Sequence, residues 1–131
     1  MSVCILVVDD EPDVADLFKR RFRREIKDGS YVIHFSISGN NALNLLNKQI
    51  QPEVMLILSD INMPGMSGLE LLSQVKHILP NLPVVMITAY GDSENRNQAY
   101  NMGATEFITK PIDFNELRNT ISAITTRKHK T

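Results

Sequence analysis

The sequence of 131 residues has one cysteine, almost no net charge and no long apolar run. Cys4 alone excludes an internal disulfide framework and a cysteine-rich metal site, which favours a reducing, cytoplasmic setting. No apolar run approaches the roughly 20 residues that cross a membrane, and no basic lead of the secretory type precedes the first one. A net charge of −1 argues against a chain that binds nucleic acid. We expect one cytoplasmic domain without direct nucleic-acid or membrane contact.

The charges are nevertheless divided along the chain. The first sixteen residues hold five acids and no base, and six of the fourteen basic residues lie within residues 19–27. Acids at a helix start and bases at its end complement the helix dipole, which accounts for Asp13, Asp16 and the basic run. Docking to an acidic partner is the alternative for that run. Neither explains Asp9 and Asp10, which directly follow an apolar stretch.

Five short apolar runs, mostly rich in valine and isoleucine, predict five strands. They are Val3–Val8, Tyr31–Phe35, Val54–Leu58, Val84–Ile87 and Phe107–Ile108. Stretches with helical spacing follow each run, and the first is expected to extend unbroken from Pro12 to the Asp28-Gly29 pair. Strand–helix alternation builds an α/β fold with a doubly wound parallel sheet, for which the five-strand order 2-1-3-4-5 is common.

Polar side chains stand at four of the predicted strand ends. The first strand is expected to end in Asp9 and Asp10, the third in Asp60 after Ser59, the fourth in Thr88 and the fifth in Lys110 after Thr109. Ligands of such sheets bind beyond the carboxyl ends of the strands, at the point where the strand order reverses. We therefore expect these five side chains to converge on one edge of the sheet.

Three close carboxylates would resist joint ionisation unless a cation relieved their repulsion. A site with oxygen ligands alone favours a hard ion such as Mg²⁺. Asp60 lies between the acid pair and Lys110, and an aspartate can attack phosphorus to form an aspartyl-phosphate. Lys110 and Thr88 could then contact the phosphoryl oxygens, because catalysis of phosphoryl transfer is mostly positioning and charge neutralisation.

Two backbone features accompany these side chains. The loop from Asn62 to Gly68 contains a proline and two glycines, and its carbonyls could reach a metal beside Asp60. Lys110 precedes Pro111, and because X–Pro bonds are where cis peptides occur, we expect a cis bond that aims the lysine into the pocket.

These residues resemble the receiver domain of two-component response regulators. The matching blocks are Leu6–Pro12, Ser59–Gly68, Val85–Tyr90, Gly103-Ala104 and Phe107–Pro111. The resemblance covers residues 3–125 and implies a flavodoxin-like (βα)5 fold. We expect residues 1–126 to form the receiver domain and residues 127–131 to be a basic tail or the start of a linker.

The resemblance also implies a role for each site residue. Asp60 is then the phosphoacceptor, which takes a phosphoryl group from a sensor histidine kinase or a phosphotransfer protein. Asp10 is a direct Mg²⁺ ligand, Asp9 binds the metal through water, and the backbone carbonyl of Asn62 completes the protein ligands. Lys110 pairs with the carboxylate or the phosphate. Beyond its own phosphorylation and dephosphorylation, such a domain is not an enzyme.

A switch is implied as well. Thr88 is expected to move toward the phosphate while the ring of Phe107 turns inward, which changes the face formed by the fourth helix, fifth strand and fifth helix. That face binds an output protein or effector domain, or a second copy of the chain after phosphorylation. Phe107 lacks the hydroxyl of the tyrosine often found at its position. Asn62 and Tyr90 occupy the two positions that tune phosphate lifetime in the family.

Two other classes of protein remain as alternatives. A Mg²⁺-dependent phosphohydrolase with an aspartate nucleophile shares the chemistry, but haloacid-dehalogenase-like phosphatases carry Asp-x-Asp at the first strand end, where this chain has Asp9-Asp10-Glu11. A nucleotide- or flavin-binding module would share the fold. The first strand-to-helix turn, however, is acidic and lacks a glycine-rich phosphate loop.

Overall fold

A computed structural model describes residues 2–48, 53–89 and 93–128, with side chains as far as Thr126. Five parallel strands form one sheet in the order β2-β1-β3-β4-β5, which confirms the predicted architecture. The strands are β1 (Val3–Val8), β2 (Tyr31–Ser36), β3 (Leu56–Asp60), β4 (Val84–Thr88) and β5 (Glu106–Thr109). The order reverses between β1 and β3, so the carboxyl ends of these two neighbouring strands form the expected switch point.

Helices cover both faces of the sheet. They are α1 (Pro12–Arg21), α2 (Arg23–Lys27), α3 (Gly39–Asn47), α4 (Gly68–Ile78), α5 (Ser93–Asn101) and α6 (Phe114–Lys128). The helices predicted as the fourth and fifth are therefore α5 and α6. Within the described parts of the chain, no helix is both long enough and apolar enough to cross a bilayer.

Alternation along the strands divides the core into two layers. On β1, Ile5 and Val7 point to one face while Leu6 and Val8 point to the other, as the period of two requires. The first layer is closed by aromatic and aliphatic side chains of α1 and α6, and the second by α3, α4 and α5. With both faces covered, the central strands are buried except for the first residue of β1, which explains their nearly continuous apolar sequence.

The first helical stretch begins at Pro12 and ends before Asp28-Gly29 as expected, but a break at Phe22, where φ is −104° and ψ is 21°, divides it into α1 and α2. Arg118 of α6 explains the break. Its guanidinium donates to the backbone carbonyl of Arg21 at 2.5 Å and to the carboxylate of Glu25 at 2.8 Å. The contact satisfies a carbonyl that α1 leaves free at its end, and the Arg118 guanidinium also lies 5.1 Å from the centre of the Phe22 ring.

The third strand lies two residues later than the predicted Val54–Leu58 run. Its last two residues, Ser59 and Asp60, are polar but buried, and they pair with β1 and β4. Backbone pairing extends the strand where the apolar pattern stops. Asp60 is therefore held inside the sheet ladder rather than in the loop that follows.

Candidate functional site

The carboxyl ends of β1 and β3 bring three carboxylates together. Asp9 and Asp10 follow β1, Asp60 ends β3, and ligand oxygens of all three lie within 4.8 Å of one another. Asp9 and Asp60 are each only 8% exposed, and Asp10 is half-buried. This is the convergence that the strand-end rule predicts.

Lys110, which follows the edge strand β5, reaches back to the carboxylates. Its Nζ lies 3.3 Å from Asp60 Oδ2 and 3.4 Å from Asp9 Oδ2. Its backbone N–H donates to the carbonyl of Thr88 at 2.7 Å, which ties the residue to the end of β4. The Lys110–Pro111 peptide bond, expected to be cis from the sequence, is cis.

Burial and charge act together on the ionisation of the site. Burial raises the pKa of Asp9, and the Asp60 carboxylate raises it further, while the N–H of Glu11 and the ammonium of Lys110 act in the opposite direction. Burial lowers the pKa of Lys110, but Asp9 and Asp60 outweigh burial and raise it above its ordinary value. Lys110 therefore stays charged at neutral pH and neutralises only part of the negative charge around it.

The donor set fits a divalent cation. Three carboxylates and one ammonium leave a formal charge of −3 + 1 = −2 when all are ionised. Every potential protein ligand in the cluster is an oxygen, which suits Mg²⁺ rather than a softer metal. The site can therefore gather a hard cation and an anionic group beside Asp60.

The loop after β3 packs closely against the backbone of Asp60. The N–H of Gly68 donates to the carbonyl of Ile61 at 2.7 Å, and a Cβ added at Gly68 would lie 2.0 Å from the Asp60 carbonyl oxygen. Only glycine fits at this contact. A capping box begins α4, since Ser67 Oγ accepts from the N–H of Glu70 at 3.2 Å and the Glu70 carboxylate accepts from the N–H of Ser67 at 3.4 Å.

Two contacts on the carboxyl side of β3 orient the aspartate. The N–H of Asn62 donates to Asp60 Oδ1 at 3.4 Å, while the Asn62 side chain is exposed. Ser59 Oγ donates to the Asp60 carbonyl at 3.0 Å. This bond satisfies the buried hydroxyl of Ser59.

The residues predicted to form the switch lie one strand and two strands away from Asp60. Thr88 ends β4 and is fully buried, and Phe107 on β5 is 6% exposed. Tyr90, the second predicted tuning residue, lies outside the described residues. Arg96 on α5, which no sequence motif marks, has its guanidinium 5.9 Å from the centre of the Phe107 ring.

Sequence reasoning also missed the close approach of Gly68. The two glycines of the loop indicated unusual backbone geometry, but the contact with Asp60 depends on how α4 begins against β3. The sequence offers one indication of the contact made by Arg96. Arg96 lies eleven residues before Phe107, and a tight turn joins the helix of the first to the strand of the second.

Comparison with known proteins places these features in a family. A family model described as "Response regulator receiver domain" matches residues 5–122. Sporulation initiation phosphotransferase F from Bacillus subtilis is 32% identical over 121 residues, covering 92% of this chain and 92% of that protein. The DNA-binding transcriptional regulator NtrC from Proteus hauseri is 38% identical over 112 residues, but these cover 86% of this chain and only 22% of that protein.

A solved structure shows the same likeness. Response regulator protein TrrA from Thermotoga maritima, in complex with Mg²⁺ and BeF, superposes with a TM-score of 0.76 at 29% identity, covering 93% of this chain and 98% of that one. The chain belongs to the receiver domain family of two-component response regulators. Nothing in the comparisons favours a phosphohydrolase.

Proposed function

We propose that Asp60 is the phosphoacceptor of this receiver domain and that its phosphorylation is the signal the domain transmits. The observation that carries the proposal is the placement of Asp60 Oδ2, which lies 3.3 Å from Lys110 Nζ in a cluster with two further carboxylates. A nucleophile, a fixed positive charge and a candidate metal site are thus adjacent. The source of the phosphoryl group is a sensor histidine kinase or a phosphotransfer protein.

The residues of the chain take distinct parts in the transfer. A carboxylate oxygen of Asp60 attacks phosphorus, the bond from phosphorus to the donor nitrogen breaks, and the proton needed by the donor imidazole comes from solvent. Lys110, released from its pairing with the carboxylates, contacts the phosphoryl oxygens, and the Thr88 hydroxyl donates a hydrogen bond to them. The same residues promote the attack of water on the phosphoryl group, which removes the phosphate from Asp60.

Mg²⁺ fits this site and would be held by Asp10, Asp60 and the backbone carbonyl of Asn62, with Asp9 acting through water. When bound, it supplies positive charge that offsets the charge of the carboxylates and of the phosphoryl group. The all-oxygen donor set and the net negative charge of the cluster support this part of the proposal.

The output of the domain is a change at the face formed by α5, β5 and α6. Thr88 and Phe107 form the switch, and Asn62 and Tyr90 tune the lifetime of the phosphate. The partner at this face is an output protein, an effector domain or a second copy of the phosphorylated chain.

The proposal also covers the extent and the setting of the domain. Residues 1–126 form the receiver, and residues 127–131 form a basic tail or the start of a linker. The domain acts in the cytoplasm and catalyses no reaction other than its own phosphorylation and dephosphorylation.

A small acyl phosphate tests the proposal without knowledge of the kinase. The purified protein is incubated with acetyl phosphate and Mg²⁺, and the phosphorylated fraction is separated on a phosphate-affinity gel. We expect labelling of the wild type and of Asp16→Asn, which removes an exposed acid of α1, and none of Asp60→Asn. Labelling of Asp60→Asn at the wild-type rate would refute the assignment.

A further inference from the structure

Three side chains of α5 contact the sheet or the core layer beneath the helix. Within α5 only Ala99 is buried, and most of its other residues are polar or charged. Arg96 and Tyr100 are four residues apart, so they lie one turn apart on the same side of the helix. Both side chains reach residues of β5. These two side chains and Ala99 therefore all take part in the contact between α5 and the sheet.

Arg96 covers the ring of Phe107. The guanidinium carbon lies 5.9 Å from the ring centre, within the range in which a cation is attracted to an aromatic face. The ring is buried with Met86 and Ala99 in the core layer beneath α5. Because Arg96 itself is exposed, its guanidinium lies between the ring and the solvent.

Tyr100 and Glu106 extend this contact along β5. The Tyr100 hydroxyl donates to Glu106 Oε2 at 3.4 Å. Partial burial and the Glu106 carboxylate raise the pKa of Tyr100, while the positive charge of Arg96 acts in the opposite direction. The three side chains thus share one electrostatic environment directly beside Phe107.

We propose that Arg96 is a positioning residue that holds the Phe107 ring in its buried position and thereby favours the phosphorylated form of the receiver. The inference rests on the proposed function, in which the ring turns inward when Asp60 is phosphorylated. Phenylalanine has no hydroxyl with which to anchor its ring by a hydrogen bond. The guanidinium supplies a directional contact in its place, and it transmits the position of the ring to α5.

Beryllofluoride, an analogue of the phosphoryl group, tests the inference without a kinase. Wild type, Arg96→Gln and Arg20→Gln are titrated with it in the presence of Mg²⁺, while NMR of ring-labelled phenylalanine reports the environment of Phe107. We expect Arg96→Gln to weaken apparent binding about two- to fivefold, the size of one exposed cation–π contact, and to shift the Phe107 signals. Arg20→Gln, which removes a cation on the opposite face of the sheet, should change neither the apparent affinity for beryllofluoride nor the Phe107 signals.

A double-mutant cycle separates action through the ring from a general effect of charge. The signals of Phe107 are assigned from Phe107→Leu, and in that background Arg96→Gln should cause no further loss of affinity. Arg96→Lys, which keeps the charge but not the planar group, should fall between wild type and Arg96→Gln.

Three results would overturn the inference. The first is wild-type affinity together with unshifted Phe107 signals in Arg96→Gln, and the second is an equal loss of affinity with and without the Phe107 ring. The third is failure of the wild type to bind beryllofluoride, which would overturn the proposed function and with it the role of Arg96.

Discussion

Lys110 Nζ lies 3.3 Å from Asp60 Oδ2, although 50 residues separate the two in the chain. The contact joins the carboxyl ends of two strands that do not neighbour each other, since β4 lies between β3 and β5. The same ammonium lies 3.4 Å from Asp9 Oδ2. A single positive charge is thus shared by two buried carboxylates, one of which is the proposed phosphoacceptor.

Replacing Lys110 with alanine should slow phosphorylation while leaving the metal ligands in place. The loss of one charged donor aimed at the transferred group typically costs on the order of 100-fold in rate. Labelling of Lys110→Ala by acetyl phosphate should fall by that order. Lys48→Ala removes an exposed lysine at the end of α3 and should label like the wild type. Equal rates for Lys110→Ala and wild type would contradict the role given to the ammonium.

Mg²⁺ should stabilise the folded protein, because a ligand that binds only the native state shifts unfolding by mass action. At about 100 times the dissociation constant the expected gain is about 2.7 kcal/mol, measured by urea unfolding with and without the metal. Asp10→Asn should lose most of that gain. Asp13→Asn, which removes an exposed acid of α1 outside the cluster, should retain it, and an equal response of both variants would exclude Asp10 as a ligand.

Alanine at Gly68 should disturb Asp60 directly. The added Cβ would lie 2.0 Å from the Asp60 carbonyl oxygen, so the backbone must shift, at a typical cost of about 1–3 kcal/mol or more. Chemical unfolding and the labelling rate should both report the change. Gly29→Asn is the matched control, because Gly29 has φ +83° with open space around it and asparagine tolerates that conformation. A Gly68→Ala variant as stable and as active as the control would show that the loop is not held against Asp60.

Tyr31 should make the stability of the protein depend on pH in the alkaline range. Burial, and then the carboxylate of Glu25, raise the pKa of the half-buried Tyr31 hydroxyl above its ordinary value of 10.0. The folded state therefore keeps this proton to higher pH than the unfolded state. Its contribution to stability is present below pH 10 and is lost as the pH rises through the folded pKa.

The Tyr31→Phe variant isolates that contribution. Urea unfolding at about pH 9 and about pH 11 should show a smaller decline of the unfolding free energy for Tyr31→Phe than for the wild type. Identical declines in wild type and Tyr31→Phe would show that the hydroxyl has the same pKa in both states.

Much of the site could be predicted because strand ends in a parallel sheet meet at one edge. Asp9, Asp10, Asp60 and Lys110 each follow an apolar run, and the order 2-1-3-4-5 brings those runs side by side. The apolar run stops at Leu58, yet β3 ends at Asp60 as expected, so Ser59 and Asp60 belong to the strand. Their place in the strand is decided by hydrogen bonds to β1 and β4 rather than by hydrophobicity.

The features that escaped prediction depend on contacts between distant parts of the chain. The break at Phe22 is bonded by Arg118, which lies 97 residues beyond Arg21, and helical periodicity alone favours an unbroken helix there. The contact of Arg96 with Phe107 requires the pairing of β5 with β4 and the packing of α5 over both. A local reading of residues 93–101 shows only a polar helix.

The most direct test of the central claim is chemical trapping of the phosphorylated residue. The protein is incubated with acetyl phosphate and Mg²⁺ and then treated with borohydride, which reduces an aspartyl-phosphate to homoserine. Peptide mass spectrometry then reads the position of the change. We expect homoserine at position 60 in the wild type and at no position in Asp60→Asn. Homoserine at another aspartate of the wild type, with Asp60 unchanged, would contradict it.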